Sequence, residues 1–359
     1  MQGSEADIEM IRTEVARAFG HRDTQGTLRR LLGESGHFDR DLWSVVSDLG
    51  WLGISVPDTL GGLGMDLAAR CAIAEEIGRN LGSVPYGVST SAMSLIARAG
   101  SEEQQALVRH GVAGKRIFTV ALFESGEAVV PSCPATLFDG ATVTGKKVAV
   151  IAGAFADYAL VLCAGGALAL VDLAQPGAVR RVVPDTVDNS RGYSHLTFDR
   201  AAATPLGQDG LLDELLDELA IVSSFEQVGG AQACLAATRD YALQRRAFGQ
   251  PIGAFQAVKH GLADFYVLIQ IARGAALSAL QADSADVRLA AACGRLAATR
   301  AYDHCAQEAI QLHGGIGTTW EAVQHLHLRR SRCLAEEWGP ASFWRERLLD
   351  AALHLAEAA

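Results

Sequence analysis

The feature that most constrains this chain is a change of hydrophobic period that happens twice. Residues 5 to about 116 carry apolar side chains at helical spacing, as in "DLWSVVSDLGWLGISVP", which stops at Gly53 and Pro57. From about 117 to 210 the pattern breaks into short β-rich runs: "RIFTVALF", "ATVTGKKVAVIAG", "DYALVLCA", "GALALVDL", "VRRVVPD" and "HLTFDR". Helical spacing then returns over 211–247, 254–282, 285–313, about 320–338 and 340–359. A helix buries one face at a period of 3.6 and a strand at a period of 2, so one stretch cannot serve as both. The expected fold is therefore α+β. It has an all-helical domain over 1–116, a small antiparallel β-barrel or sandwich over 117–210, and a four-helix bundle over 211–359.

Local signals agree with this division. "DTLGGLGMD" is a glycine-rich loop, and "SEEQQALVRHGVAGK" is a helix with Ser101 as N-cap and Gly111 and Gly114 near its end. The formal net charge of −10 argues against broad binding to nucleic acid or anionic membrane. The 7 cysteines show no CxxC spacing and read as reduced core thiols of a cytoplasmic protein. "MQGSEADIEMIRTEV" lacks the cationic start and apolar run of a signal peptide. No long apolar run is free of charges or turn signals, so no membrane span is expected.

Three motifs carry chemistry: "LGWLGISVPDTLGGLGM", "RRAFGQPIGAFQ" and "AIQLHGGIGTTWE". In letters, spacing and order along the chain they resemble the acyl-CoA dehydrogenase family over nearly the full length. The resemblance implies an FAD-dependent 2,3-dehydrogenation of an acyl-CoA thioester in a tetramer, with each flavin site shared by two subunits. It also implies that Arg245, Phe248, Gln256, Gln311, Gly314 and Gly315 hold the pyrophosphate and adenosine half of an FAD bound to the neighbouring subunit. Their chemistry suits that role. A guanidinium forks onto phosphate oxygens, glycine lets the backbone come close, and glutamine can donate to phosphate or accept from ribose. The competing reading makes Arg245 a solvated charge at a helix end and Gly314-Gly315 a plain helix stop.

The flavin-ring half departs from the family pattern. Phe123 stands where a flavin-bonding threonine is expected, and only Glu124 of that motif remains. The Trp-Ile-Thr/Ser segment that covers the ring aligns with Ala149, Val150 and Ile151, which read as an ordinary buried strand. The catalytic base departs too. In most members it is a glutamate 27 residues after the first glutamine of QxxGG, which here is Trp338, followed by Gly339. The family's later FAD contacts align with Pro340 and Ser342. A minority use a glutamate 26 residues before the arginine, here Leu219, with Ala220 where an arginine follows. Glu337 and Glu218 are the adjacent carboxylates. One residue turns a helical side chain by ~100°, so each is a poor substitute, and each also reads, like Glu336, as a surface carboxylate.

Other arrangements are weaker. His325 and His327 are two apart, poor geometry for a shared metal. Arg329, Arg330 and Arg332 form a basic cluster that reads either as a solvated helix face or as a contact for CoA phosphate or an acidic partner. There is no nucleophile elbow. The expected assembly is an α2β2 tetramer in which this chain is the non-catalytic subunit. A homologous subunit would supply the base, the ring site and most contacts to an acyl-CoA, including bulky or steroid side-chain thioesters. A self-sufficient homotetramer using Glu337 or Glu218, and a cofactor-free structural homologue, are the alternatives.

Overall fold

A computed structural model of the chain describes residues 5–126, 129–207, 210–283 and 286–358. Residues 1–4, 285 and 359 of the expected segments, and Glu127 and Ala128 of the expected ring-binding loop, lie outside the described residues. Helices come first: α1 (Glu5–Gly20), α2 (Thr24–Leu32), α3 (Arg40–Asp48), α4 (Leu67–Arg79), α5 (Tyr86–Ala99) and α6 (Glu102–Val112). Strands follow: β1 (Phe118–Ala121), β2 (Leu137–Phe138), β3 (Thr142–Val150), β4 (Tyr158–Leu162), β5 (Leu168–Asp172), β6 (Val179–Val182) and β7 (Ser194–Pro205). Then come α7 (Leu211–Gln244), the hairpin strands β8 (Arg246–Ala247) and β9 (Gln250–Pro251), α8 (Gln256–Gln281), α9 (Val287–His313), α10 (Gln324–Glu336) and α11 (Ala341–Ala358).

These elements form two compact units. One holds residues to Glu14, Thr27–Arg70 and Ser83–Leu219; the other holds Val15–Gly26, Cys71–Gly82 and Ala220–Ala359. In the first unit the sheet runs β1-β4-β5-β7-β3-β2, and β6 also pairs with β7. β7 is long enough to pair with β3 on one edge and with β6 and then β5 on the other. The sheet is mixed rather than wholly antiparallel, because β1 and β4 are parallel. The chain between them is long enough to form β2 and β3 before it returns. Before the sheet, α6 is closed by a capping box. The Ser101 hydroxyl accepts from the Gln104 N–H, and the Gln104 side chain accepts from the Ser101 N–H.

The second unit is a helical bundle. Ala231 and Cys234 of α7, Phe265 and Ile269 of α8, Tyr302, Cys305 and Ala306 of α9, and Leu334 of α10 form one buried cluster. α8 is apolar and long enough, by composition alone, to cross a membrane. Its apolar residues divide between a buried stripe (Phe265, Ile269, Ala272, Ala276, Ala279) and an opposite exposed face with Tyr266, Val267 and Ile271. Two glycines allow the end of α4 to lie against α7. A Cβ on Gly78 would meet the Glu226 carbonyl oxygen at 1.8 Å, and one on Gly229 would meet that of Glu75 at 1.8 Å. The free thiols Cys71, Cys163, Cys234, Cys305 and Cys333 are buried, but Cys133 and Cys293 are exposed, so the expectation of core thiols fails at those two.

Candidate functional site

The "RRAFGQPIGAFQ" stretch makes a corner between α7 and α8. The Arg245 N–H donates to the Tyr241 carbonyl at 2.8 Å, and the Arg245 carbonyl accepts from the Ile252 N–H at 2.8 Å. β8 and β9 pair Arg246 with Pro251 and Ala247 with Gln250. Phe248 and Gly249 form the tip with φ of 52° and 84°, the two left-handed positions of a tight hairpin turn. Phe248 is 96 % exposed. Arg245 and Gln256 are exposed as well, and Gln256 opens α8.

The "AIQLHGGIG" stretch ends α9. Gly314 caps it at φ 60°, ψ −144°, a conformation closed to other residues. Gln311, Gly314 and Gly315 are exposed, and nothing in the chain lies within 4 Å of a Cβ built on either glycine. Tyr241 and His313 bring the corner and the α9 end together. Their rings stack at 4.2 Å and 24°, and the Tyr241 hydroxyl donates to the His313 carbonyl at 3.4 Å. All six residues expected to hold the dinucleotide thus occur on two tethered segments, accessible and with backbone to spare. The arrangement fits a diphosphate approached by an arginine, two glutamine side chains and an unobstructed glycine backbone.

The expected base position is built differently. Trp338 is 3 % exposed, with φ 66°, and its indole N–H donates to the Ser223 hydroxyl of α7 at 3.1 Å. Arg295 of α9, fully buried, secures the turn before it. Its guanidinium donates to the Leu334 carbonyl, to the Glu337 carbonyl at 2.7 Å and to the Gln227 amide oxygen at 2.6 Å. Glu337 caps α10 and is 4 % exposed, so it is no surface carboxylate, whereas Glu336 is exposed. Pro340 is half-buried and Ser342 is exposed. Leu219 and Ala220 are buried. Glu218 is no surface carboxylate either. It faces Arg70 at 2.7 Å and Arg98 at 3.3 Å, and accepts from the Ser94 hydroxyl at 3.4 Å. A carboxylate held between two guanidiniums is a structural anchor.

In the first unit, Phe123 is half-buried and Glu124 is locked. Burial pushes the Glu124 carboxyl up, but Lys147 at 2.7 Å, the Thr136 hydroxyl and the Ala135 and Thr136 N–H groups outweigh it and bring it to about 2. Burial pulls the enclosed Lys147 ammonium down, and Glu124 resists. Residues 149–151 are not the ordinary buried strand expected from sequence. The ladder slips between Lys147 and Val150, and Ala149 is exposed at φ 50°. Val150 and Ile151 are buried, and Ile151 already lies in the turn after β3. The cleft beside them, lined by Val84, Tyr86, Ile151, Phe155, Ser190 and Arg191, has a volume of about 10 Å³, room for one water.

The basic cluster does not form a patch. Arg330 is buried, donates to the Gly82 carbonyl at 3.1 Å and faces Glu226 at 3.6 Å, while Arg332 pairs with Asp303 at 2.8 Å. His327 is buried against the Tyr302 hydroxyl at 2.9 Å, and burial, with Arg330 adding to it, lowers its pKa to about 3. His325 instead lies half-buried, stacked on Trp320. Among the described residues no three His, Cys, Asp or Glu side chains come together as a metal site.

Two family descriptions match the chain: "Acyl-CoA dehydrogenase, N-terminal domain" over residues 5–114 and "Acyl-CoA dehydrogenase, C-terminal domain" over 210–353. The chain belongs to the acyl-CoA dehydrogenase family. Members of this family bind FAD. Acyl-CoA dehydrogenase IpdE2 of Mycobacterium tuberculosis (strain ATCC 25618 / H37Rv) is 31 % identical over 330 residues, covering 91 % of this chain and 92 % of that protein. A structure titled "Tcur3481-Tcur3483 steroid ACAD G363A variant" superposes with a TM-score of 0.91 at 29 % identity, covering 98 % of this chain and 99 % of that one. The ChsE4-ChsE5 complex from Mycobacterium tuberculosis gives 0.86 at 28 % identity, covering 99 % and 98 %.

Sequence reasoning did not single out the joint between the two segments, Tyr241 and His313, nor the Arg295 clasp on the Trp338 turn. The one available signal was the histidine placed inside the "QLHGG" motif.

Proposed function

We propose that this chain is the non-catalytic subunit of a heteromeric, FAD-dependent acyl-CoA dehydrogenase, and that it lends the diphosphate half-site to a homologous catalytic subunit. The observation that carries this reading is Trp338. At the base position stands a buried indole committed to Ser223, which accepts no proton. The dinucleotide segments, by contrast, stay exposed and fully equipped. Arg245 would hold phosphate oxygens, Gln256 and Gln311 the diphosphate and ribose, the Gly314-Gly315 backbone would lie against the diphosphate, and Phe248 would cover an apolar face. Bound flavin supplies the acceptor for the hydride that leaves the acyl chain. The base that takes the accompanying proton is then the partner's: Glu218 is held by Arg70 and Arg98, the adjacent Leu219 and Ala220 are apolar, and Glu337 is the buried cap of α10 with its carbonyl held by Arg295. The two structural relatives whose titles name paired proteins, one of them a steroid enzyme, support a mixed assembly and a bulky thioester substrate. The exposed apolar face of α8 suits burial against another subunit.

The test is stoichiometry. The chain is produced alone and together with a homologous subunit that retains the glutamate base, and the visible spectrum gives FAD per chain. The expected result is colour only in the mixed complex, at one FAD per two chains. A yellow homo-oligomer with one FAD per chain that oxidises acyl-CoA unaided would overturn the reading.

A further inference from the structure

The residues that line the proposed half-site lie on two segments far apart in sequence, and one buried histidine sits where those segments meet. His313 is the last residue of α9, two after Gln311 and just before Gly314. Its ring is buried and satisfied on three sides. Nδ1 lies 2.7 Å from the Ala309 carbonyl, which can only accept, so Nδ1 carries the proton. Nε2 is therefore an acceptor, and it lies 2.8 Å from the amide nitrogen of Gln324, itself buried near the start of α10. The face of the ring stacks on Tyr241, one helical turn before Arg245, and the backbone of that turn is continuous with Arg245 through the Tyr241 carbonyl. The imidazole thus links α7, α9 and α10 at the root of both segments.

We propose that His313 is the positioning residue of the diphosphate half-site. It fixes the distance between the Arg245 corner and the Gln311–Gly315 segment, and so sets the affinity for the dinucleotide without touching it. This inference rests on the half-site reading above. The physical reason is that Arg245 and the glycine backbone must reach one diphosphate together. Each segment by itself ends in an exposed turn; apart from the imidazole, the Tyr241 hydroxyl ties them by one long bond of 3.4 Å to the His313 carbonyl, and misplacement of a bidentate contact by ~1 Å costs most of its strength. A ring that stacks, donates and accepts at once sets both spacing and rotation, which an aliphatic residue here would leave loose.

The experiment uses the mixed complex, with the FAD dissociation constant measured by flavin fluorescence and the melting temperature measured in parallel. His313→Phe keeps the stack and removes both hydrogen bonds; His313→Gln keeps an acceptor for Gln324; Gln324→Leu removes that partner and leaves the histidine. The expected result is FAD binding about tenfold weaker in His313→Phe and Gln324→Leu, and recovery to within about threefold of the parent in His313→Gln. Arg245→Ala is the reference. Normal FAD affinity in His313→Phe, beside a clear loss in Arg245→Ala, would overturn the positioning role and leave the half-site standing. Normal affinity in Arg245→Ala would remove the half-site itself. Should His313→Phe fail to fold, Gln324→Leu decides: unchanged FAD affinity there counts against the proposal, and a loss with an unchanged melting temperature supports it.

Discussion

The corner around Arg245 and the turn around Trp338 both sit at the end of a helix, and both use left-handed backbone, yet they have opposite surroundings. At the corner, Phe248 and Gly249 project outward and the polar side chains face solvent. At the turn, Trp338 points inward, its N–H is satisfied by Ser223, and the carbonyls before it are held by Arg295. The first region is left open to solvent by this chain, while the second is closed by the chain's own groups. The two are built on separate helix ends with separate supports, so one can change while the other stays.

Four measurements break or sharpen that contrast. The largest effect is expected from Trp338→Ala, which empties a buried aromatic site and leaves Ser223 without its donor; a loss of roughly 3–5 kcal/mol follows, read as denaturant midpoint. A change below 1 kcal/mol would show that the indole is not part of the packing. Acid comes next. His313 and His327 are held neutral in the fold by burial, His327 down to about 3, so the unfolded chain binds more protons below its ordinary value near 6.5. For His327 that stability is fully present above ~6.5 and falls as the pH drops toward 3, by up to ~1.4 kcal/mol per pH unit, and His313 adds a loss in the same direction. Glu124, held at about 2, adds the same direction of loss between ~4.5 and 2. Urea titrations at neutral and mildly acid pH check this, and a flat profile contradicts it. Arg245→Ala should cost about 1.5–3 kcal/mol of FAD binding, roughly 10–100-fold, while the melting temperature hardly moves because the side chain is exposed. The smallest effect is Phe248→Asn: relief of left-handed strain should leave stability equal or raised by up to ~1 kcal/mol, while FAD affinity falls. If both quantities drop together, the tip is supported by the fold rather than held ready for a ligand.

The sequence made the helical and β segments legible because their periods are strong, down to the Ser101 cap. It did not show the parallel β1–β4 pair, since parallel pairing depends on a long connection rather than on any residue pattern. The residues expected to hold the dinucleotide could be singled out because each stands in a motif, and all six are exposed. Arg330, within the basic cluster, looked like part of a solvated helix face. Whether an arginine faces solvent or a carbonyl is decided by packing from other helices, so that reading fails at Arg330, buried on the Gly82 carbonyl, while Arg332 stays exposed beside Asp303. Ala149 kept its secret likewise, because a ladder slip is set by both strands at once.

The clasp around Trp338 also bears on how such a subunit evolves. A glutamate at 338 would place a charge where a buried indole now stands bonded to α7, orphan Ser223 and leave Arg295 gripping a turn shaped for a different occupant. On the reading proposed above, each further accommodation to the indole deepens the divide between the two kinds of subunit. Return to self-sufficiency would then require several simultaneous replacements, each harmful when made first, and the proposed dependence on a partner would behave as a ratchet.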